Sequence, residues 1–494
     1  MNARRKAAVA IAAGSIIRLI FWLTTPVTGD AAFHYSIARY MGETWRIPTF
    51  EYVTGPDPFW YPPLFHIITA VLYRLTGILT LTPLLFGVAG LILFHIFCVR
   101  FYPKHALSAT LFLAFLPFHI YYSSIGYIET LLFLITVAAF YFYFSFLKSK
   151  RTRDLAYAVF MSALAASAHY HGIVVLLSIT AHLALQDRRK AAIVLAAGLI
   201  LSCPWYIRNF VVFGNPVWPK VYGGYYASDA TAKGTPIPVA LAQLGRPGRW
   251  ASVFLEFWVG APNSGEDFAS NAAVGRTRYP MFDLFMLPWL AFIVCLTLLG
   301  IWGAYLMKND KTAIFAAIAL IISVGPFVLN SLPRMFVAAM PFAVVAMAAG
   351  YDAMKFRRKD IMLAAAFIAL LGGSYAYAYT YKSIRERYVP FFDMMKDKIP
   401  DDAKVVMPFN KQECVYYSER QCQRIGNTGG IPTPTIENMD RILKDYDIAY
   451  VCCSSLNWGA HDEIRIICDP FKDRKPAFEY EKGGVWGKCW KTGN

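Results

Sequence analysis

The stretch AAVAIAAGSIIRLIFWLTT, residues 7–25, decides the class of fold. It runs for about the 20 apolar residues that cross a hydrocarbon core of roughly 30 Å. It follows Arg4, Arg5 and Lys6, and its single internal charge is Arg18. Such flanks resemble a signal peptide, but Thr-Thr-Pro-Val-Thr-Gly-Asp (24–30) has no small-x-small cleavage site, so the segment is expected to stay as a first span.

Ten more runs of this kind follow, near 79–99, 106–123, 128–147, 155–170, 172–186, 191–207, 282–306, 312–330, 335–351 and 361–380. Together they predict eleven transmembrane helices. Residues 62–77 are apolar but shorter and carry Arg74, so they read as a helix lying on or dipping into the membrane. The composition agrees: 494 residues, 57% hydrophobic, 16% aromatic and only 16% charged, with mean hydropathy +0.40. Soluble domains run near 25% charged and about 45–50% apolar. A cytosolic enzyme, a nucleic-acid binder and a disordered chain are thereby excluded.

Charge tests the count, because Lys- and Arg-rich loops stay on the cytoplasmic side. With eleven spans, Arg4, Arg5, Lys6, Arg100, Lys104, Lys148, Lys150, Arg151, Arg153, Arg188, Arg189, Lys190, Lys308, Lys311, Lys355, Arg357, Arg358 and Lys359 all fall on one side. Counting 62–77 as a full span would break that pattern from Arg100 onward. The expectation is an integral membrane protein with a cytoplasmic N-terminus and an extracytoplasmic C-terminus. Most of the net charge of +16 (48 Lys+Arg against 32 Asp+Glu) is then topology.

Three pieces on the outer side are too long to be mere connectors: residues 26–61, residues 208–280, and the tail 381–494. The domain reading is a membrane part over 1–380, with those two external loops, and a small extracytoplasmic α/β domain over 381–494. From Arg385 on, the tail holds 17 basic and 17 acidic residues. Residues 403–408 and 448–453 read as buried strands, 435–446 has helical spacing, and 478–490 reads as a hairpin around Gly483-Gly484. Six of the nine cysteines (Cys414, Cys422, Cys452, Cys453, Cys468, Cys489) lie here, an even set that points to disulfides, with Cys414 and Cys422 the nearest pair. There is no C-x-x-C or His partner at zinc spacing, and no internal repeat of the transporter kind.

Ionisable residues at the edges of spans are functional candidates. Asp30 opens an amphipathic segment, Asp30-Ala31-Ala32-Phe33-His34-Tyr35, that continues to Arg39, and Glu129 opens the fourth span. By the expected topology both lie at the outer face. Each also has a plain structural reading, Asp30 as a helix cap and Glu129 as an acid beside its own helix N-terminus. His169 and His171, Arg208 in Pro204-Trp205-Tyr206-Ile207-Arg208-Asn209, and Arg334 after Pro333 stand at the same level. Arginine suits phosphate because its planar fork donates paired hydrogen bonds, although snorkelling to headgroups explains such arginines too. The aromatic residues of the two outer loops suit interface anchoring and sugar stacking equally.

In this arrangement the chain resembles the GT-C superfamily of integral-membrane glycosyltransferases, in particular the branch of protein O-mannosyltransferases and the lipid A aminoarabinose transferase. The resemblance is carried by Asp30 with His34, Tyr35 and Arg39, by Tyr61-Pro62-Pro63-Leu64 at the entry to the interfacial helix, and by Glu129. His169-Tyr170-His171-Gly172, the 204–209 motif followed by Phe213-Gly214-Asn215-Pro216, and Pro333-Arg334 with Pro341 complete it. The first acid lacks the neighbouring second carboxylate common in the mannosyltransferases, and histidine stands at 169 where many relatives have lysine. The Trp-Trp-Asp-Tyr-Gly motif of oligosaccharyltransferases is absent.

The resemblance implies a polyprenyl- or dolichyl-phosphate sugar as donor and transfer to an acceptor hydroxyl at the extracytoplasmic face with inversion. Asp30 would be the general base, with Glu129 orienting the acceptor or Asp30. Arg208, Arg334 and His169 would hold the phosphate, and His34, Tyr35, Tyr61 and His171 would line the substrate. No cofactor is expected. A divalent metal could bridge two acids and phosphate, but the acids are too few to make it a requirement. Such a donor needs no nucleotide site, and the sequence holds no P-loop or G-x-G-x-x-G before a helix. Rival readings are a transporter or lipid flippase, an O-antigen polymerase or ligase, and a scaffold or receptor. The sugar and the acceptor (protein, lipid or glycan of the cell envelope) are not specified by the sequence.

Overall fold

A computed structural model describes residues 2–27, 29–48, 59, 61–216, 294–308, 318, 337, 339–407, 411–423, 435, 437–455 and 466–493. The expected span at 312–330 except residue 318, most of the 208–280 loop and the 49–58 part of the first loop lie outside these residues. The chain divides into two compact units, one of 1–24, 83–208 and 236–378, the other of 25–82, 209–235 and 379–494.

The first unit is helical. Its elements are α1 (Ala3–Thr24), α4 (Leu81–Phe101), α5 (Ala106–Phe115), α6 (Pro117–Tyr122), α7 (Glu129–Ser149), α8 (Thr152–Ala168), α9 (Ile173–Ala184), α10 (Arg188–Phe213), α11 (Val294–Leu306), α12 (Met340–Ala353) and α13 (Lys359–Glu386). Among the described residues five helices are long and apolar enough to cross a membrane: Arg4–Thr24, Leu81–Phe101, Glu129–Ser149, Arg188–Phe213 and Lys359–Ala376. Shorter apolar helices occupy the expected spans near 106, 172, 294 and 340. The tightest pair is α7 with α8, joined through Lys150 in a left-handed conformation (φ 56°) that caps α7. Packing of α11 on α12 depends on glycine. A Cβ at Gly303 would strike the Ala346 carbonyl and one at Gly350 the Leu299 carbonyl, the close backbone approach that small residues permit between membrane helices.

One expected span differs. The apolar run 106–123 is not a single helix but α5 and α6, broken at Leu116, whose backbone is extended (φ −69°, ψ 115°). Pro117 is the cause: it has no N–H for the Leu113 carbonyl, and it disfavours a helical conformation at the residue before it. Arg18 repairs the break. Its guanidinium, fully buried, donates to the Leu113 carbonyl (3.0 Å), the Ala114 carbonyl (2.9 Å) and the Gly14 carbonyl (2.8 Å). The fourth partner is His119 Nδ1 at 2.8 Å. Since guanidinium only donates, this nitrogen accepts and the His119 proton sits on Nε2.

The second unit holds α2 (Gly29–Thr44) and α3 (Leu64–Thr76), α14 (Val389–Lys398), α15 (Lys411–Ser418) and α16 (Met439–Asp445). Its strands are β1 (Lys404–Val406), β2 (Gln421–Gln423), β3 (Ile448–Ser454), β4 (Phe478–Lys482) and β5 (Val485–Lys491). The sheet runs β2-β1-β3-β5-β4, parallel among β2, β1 and β3 and antiparallel from β3 through β5 to β4. Gly483 and Gly484, at φ 60° and 76°, form the two-residue turn between β4 and β5 that favours positive φ at both positions. Val406, Ile442, Leu443, Ile448, Val451, Phe471 and Trp490 build the core beside the sheet. Disulfides join Cys414 to Cys422, Cys452 to Cys489 and Cys453 to Cys468. Cys452 and Cys489 are directly opposite in register, with Cα atoms 4.1 Å apart. Adjacent cysteines in β3 thus bond to different partners.

Candidate active site

In the second unit α2 carries Asp30 in its first turn, where a carboxylate is favoured by the positive end of the helix dipole. The cap is not Asp30 itself. Gly29 N–H donates to Glu413 Oε1, 2.9 Å away, from the first turn of α15. Asp30 is half-buried, and from Ala31 to Ala38 every residue of α2 is buried.

Helical spacing places His34 one turn beyond Asp30 on the same face. His34 Nδ1 meets His66 Nε2 of α3 at 3.0 Å. Rings of Phe33, Tyr61 and Phe65 surround His34 with centroids at 5.2, 5.1 and 5.9 Å. Burial, and secondarily the neighbouring His34, hold the His66 imidazole well below the usual histidine range, against the opposing pull of the Pro62 backbone. His66 is therefore neutral at physiological pH. Tyr61 stands immediately before Pro62-Pro63, the residues that launch α3.

Tyr35 and Arg39 lie on another side of α2, toward α15. Tyr35 is fully buried, its hydroxyl 3.4 Å from the Thr80 carbonyl and its ring 6.1 Å from that of Tyr416. Burial, then Tyr416, push its phenol well up from the usual range, so it stays protonated. Arg39 lies over the Tyr416 ring at 5.2 Å, donates to the Tyr416 carbonyl (3.3 Å) and pairs with Glu419 at 3.0 Å.

In the first unit Glu129 opens α7 and is buried. One turn along the same helix, the Phe133 ring meets His119 edge to face at 4.7 Å, so the Arg18–His119 network lies beside the helix that begins with Glu129. His169 caps the C-terminus of α8 in an extended conformation, and Tyr170–Gly172 form a 3-10 turn into α9. The His169 and His171 rings stack with centroids 4.6 Å apart. His169 Nδ1 accepts from the His171 backbone N–H (3.1 Å) and lies 2.9 Å from His171 Nδ1. A nitrogen that accepts a backbone N–H carries no proton, so His169 is protonated at Nε2 and His171 donates from Nδ1. Gly172 is required here, because a Cβ would strike the Ala165 carbonyl.

The same corner receives the end of α10. The Tyr206 hydroxyl donates to the Ala166 carbonyl at 2.8 Å, its ring lies 5.8 Å from that of Tyr170, and Arg208 stacks over Trp205 at 4.8 Å. Asp30, His34, Tyr35 and Tyr61 thus share one unit, while Glu129, His169, His171 and Arg208 share the other. Arg334, with Trp60 and the aromatics Trp218, Tyr222, Tyr225 and Tyr226, lies outside the described residues. Sequence reasoning passed over His66 and Glu413, and it saw Arg18 without its partners. Among the described residues no three His, Cys, Asp or Glu side chains are grouped to hold a metal.

The sequence profile described as dolichyl-phosphate-mannose-protein mannosyltransferase matches residues 56–207, which include Tyr61, Glu129, His169 and His171. Among solved structures, ArnT from Cupriavidus metallidurans bound to undecaprenyl phosphate superposes with a TM-score of 0.62 at 12% identity, covering 98% of this chain and 97% of that one. This chain has the fold of ArnT. The apo structure of the same protein matches over the same shares of both chains, with a TM-score of 0.63 at 12% identity. No curated relative matches by sequence. The resemblance to this glycosyltransferase group is thereby borne out, in sequence over residues 56–207 and in fold over nearly the whole chain.

Proposed function

We propose that the chain is a membrane glycosyltransferase that moves a sugar from a polyprenyl- or dolichyl-phosphate donor to an acceptor hydroxyl at the extracytoplasmic face, with inversion. The observation that carries this reading is the match along 98% of the chain to ArnT in its undecaprenyl-phosphate-bound form. In this reading 1–380 form the membrane part, the tail 381–494 is extracytoplasmic, and the acceptor hydroxyl attacks the anomeric carbon as Asp30 takes its proton. A base held in that position contributes about 10²–10⁴ in rate. Glu129 orients the acceptor. Arg208, Arg334 and the Nε2–H of His169 stabilise the departing phosphate, whose negative charge grows as the glycosidic bond breaks. His34, Tyr35, Tyr61 and His171 shape the walls, Tyr35 from behind through its buried ring.

The test is binding of undecaprenyl phosphate against undecaprenol, which differ only in the phosphate, by the protein in nanodiscs. The reading expects tighter binding of the phosphate form, weakened about tenfold by Arg208→Gln, the order of one charge-assisted hydrogen bond. Equal binding of the two lipids overturns the donor class.

A further inference from the structure

Asp30 is the acid of its own helix turn, yet a second carboxylate reaches that turn from 384 residues away in sequence. Glu413 is buried, at 3% exposure, and its Oε1 accepts the Gly29 N–H. One of the orphan donors at the start of α2 is thus satisfied by the tail rather than by a local cap.

Further contacts hold the helix of Glu413 in place. The Tyr417 hydroxyl donates to the Val27 carbonyl at 3.0 Å, so α15 grips the chain on both sides of residue 28. The Cys414–Cys422 disulfide, from the residue after Glu413, ties α15 to β2, and beyond the far end of the helix Arg420 donates to the Ile399 carbonyl (2.6 Å) and pairs with Asp401 (2.8 Å). Arg39, bound to Glu419 and stacked on Tyr416, locks the same two helices one stretch further along α2.

We propose that Glu413 is a positioning residue for Asp30, resting on the transferase reading above. By capping α2 it fixes the first turn, and with it the direction of the Asp30 carboxylate. The tail is then a working part of the active site. Misplacing a catalytic group by about 1 Å is enough to lose on the order of a hundredfold in rate.

The test uses the full chain in nanodiscs with three variants. Glu413→Gln keeps the reach of the acceptor without its charge, Glu413→Asp keeps the charge but withdraws it by one methylene, and Glu413→Ala removes both. Two readouts are taken: amide hydrogen exchange of the peptide beginning at Gly29, and kcat and KM for transfer from a panel of polyprenyl-phosphate sugars. Expected are faster exchange and a tenfold to hundredfold fall in kcat for Ala and Asp with donor KM within about twofold, while Gln stays near wild type in both. A purely structural role would lower the yield of folded protein without separating kcat from KM or restoring activity with Gln. Unchanged exchange in Asp and Ala overturns the clamp. Faster exchange with unchanged kcat overturns the positioning role. If the wild-type chain uses no donor, the transferase reading falls and takes the positioning role with it, while exchange still decides whether Glu413 holds the turn.

Discussion

Replacing Arg18 by methionine removes a buried guanidinium and strands the acceptors it serves. The Leu113 carbonyl has no other partner to turn to, because residue 117 is proline. The Ala114 carbonyl and His119 Nδ1 are the other two cross-helix acceptors. Each buried acceptor left unsatisfied costs about 1–3 kcal/mol, and lipid offers no water to replace the donor. Against a sum of about 3–9 kcal/mol stands the several kcal/mol recovered by no longer burying a cation. A net loss of about 3 kcal/mol is expected, a fall of roughly 5–10 °C in the unfolding midpoint of a large domain. The assay is thermal unfolding of purified protein in detergent at one scan rate. The mechanism is read from the double variant: Pro117→Ala restores an N–H for Leu113, so Arg18→Met/Pro117→Ala should regain about 1–2 kcal/mol, the worth of one rescued carbonyl. An Arg18→Met protein that melts with wild type, or a double variant no better than the single, would refute the reasoning.

His66 makes stability depend on pH. Its folded pKa is depressed, so below about 6.5 the unfolded chain binds the proton that the folded one refuses. Stability is whole above that value and falls as pH drops through it, by up to about 1.4 kcal/mol per pH unit. Melting from pH 7.5 to 5.5 should show a shallower decline in His66→Gln, and parallel declines would reject the assignment. Gly303→Leu should separate α11 from α12 and lower the melting midpoint by at least the 1–3 kcal/mol typical of overpacking, whereas Gly372→Leu, at a site where a Cβ meets nothing, should not. Cys414→Ser with Cys422→Ser should leave the sheet disulfides intact, as read by mass mapping, yet speed amide exchange in α15. Unchanged exchange would show that the Arg420 contacts suffice.

What could be read from sequence was local. Lysine and arginine marked one side of the expected spans, Gly483-Gly484 marked a turn, and Cys414 lay close enough to Cys422 to be paired. Pro117 was visible in the run 106–123, but hydropathy averaged over the run hid the break. The rest depends on pairings that no window contains. Arg18 is explained only by carbonyls 95 and 96 residues away, Glu413 only by an N–H 384 residues away, and His66 only by the packing of α3 on α2. The acids and histidines of the candidate site were legible because ionisable groups at span ends are few. Their partners were not, because burial and tertiary contact decide them.

The most direct measurement is transfer of labelled sugar from polyprenyl-phosphate donors to acceptors in an envelope extract, comparing wild-type protein with Asp30→Asn. The account predicts that wild type moves label out of the lipid-soluble donor and that Asp30→Asn, folded and able to bind undecaprenyl phosphate, does so at least 10²-fold more slowly. Transfer by Asp30→Asn at the wild-type rate would contradict it.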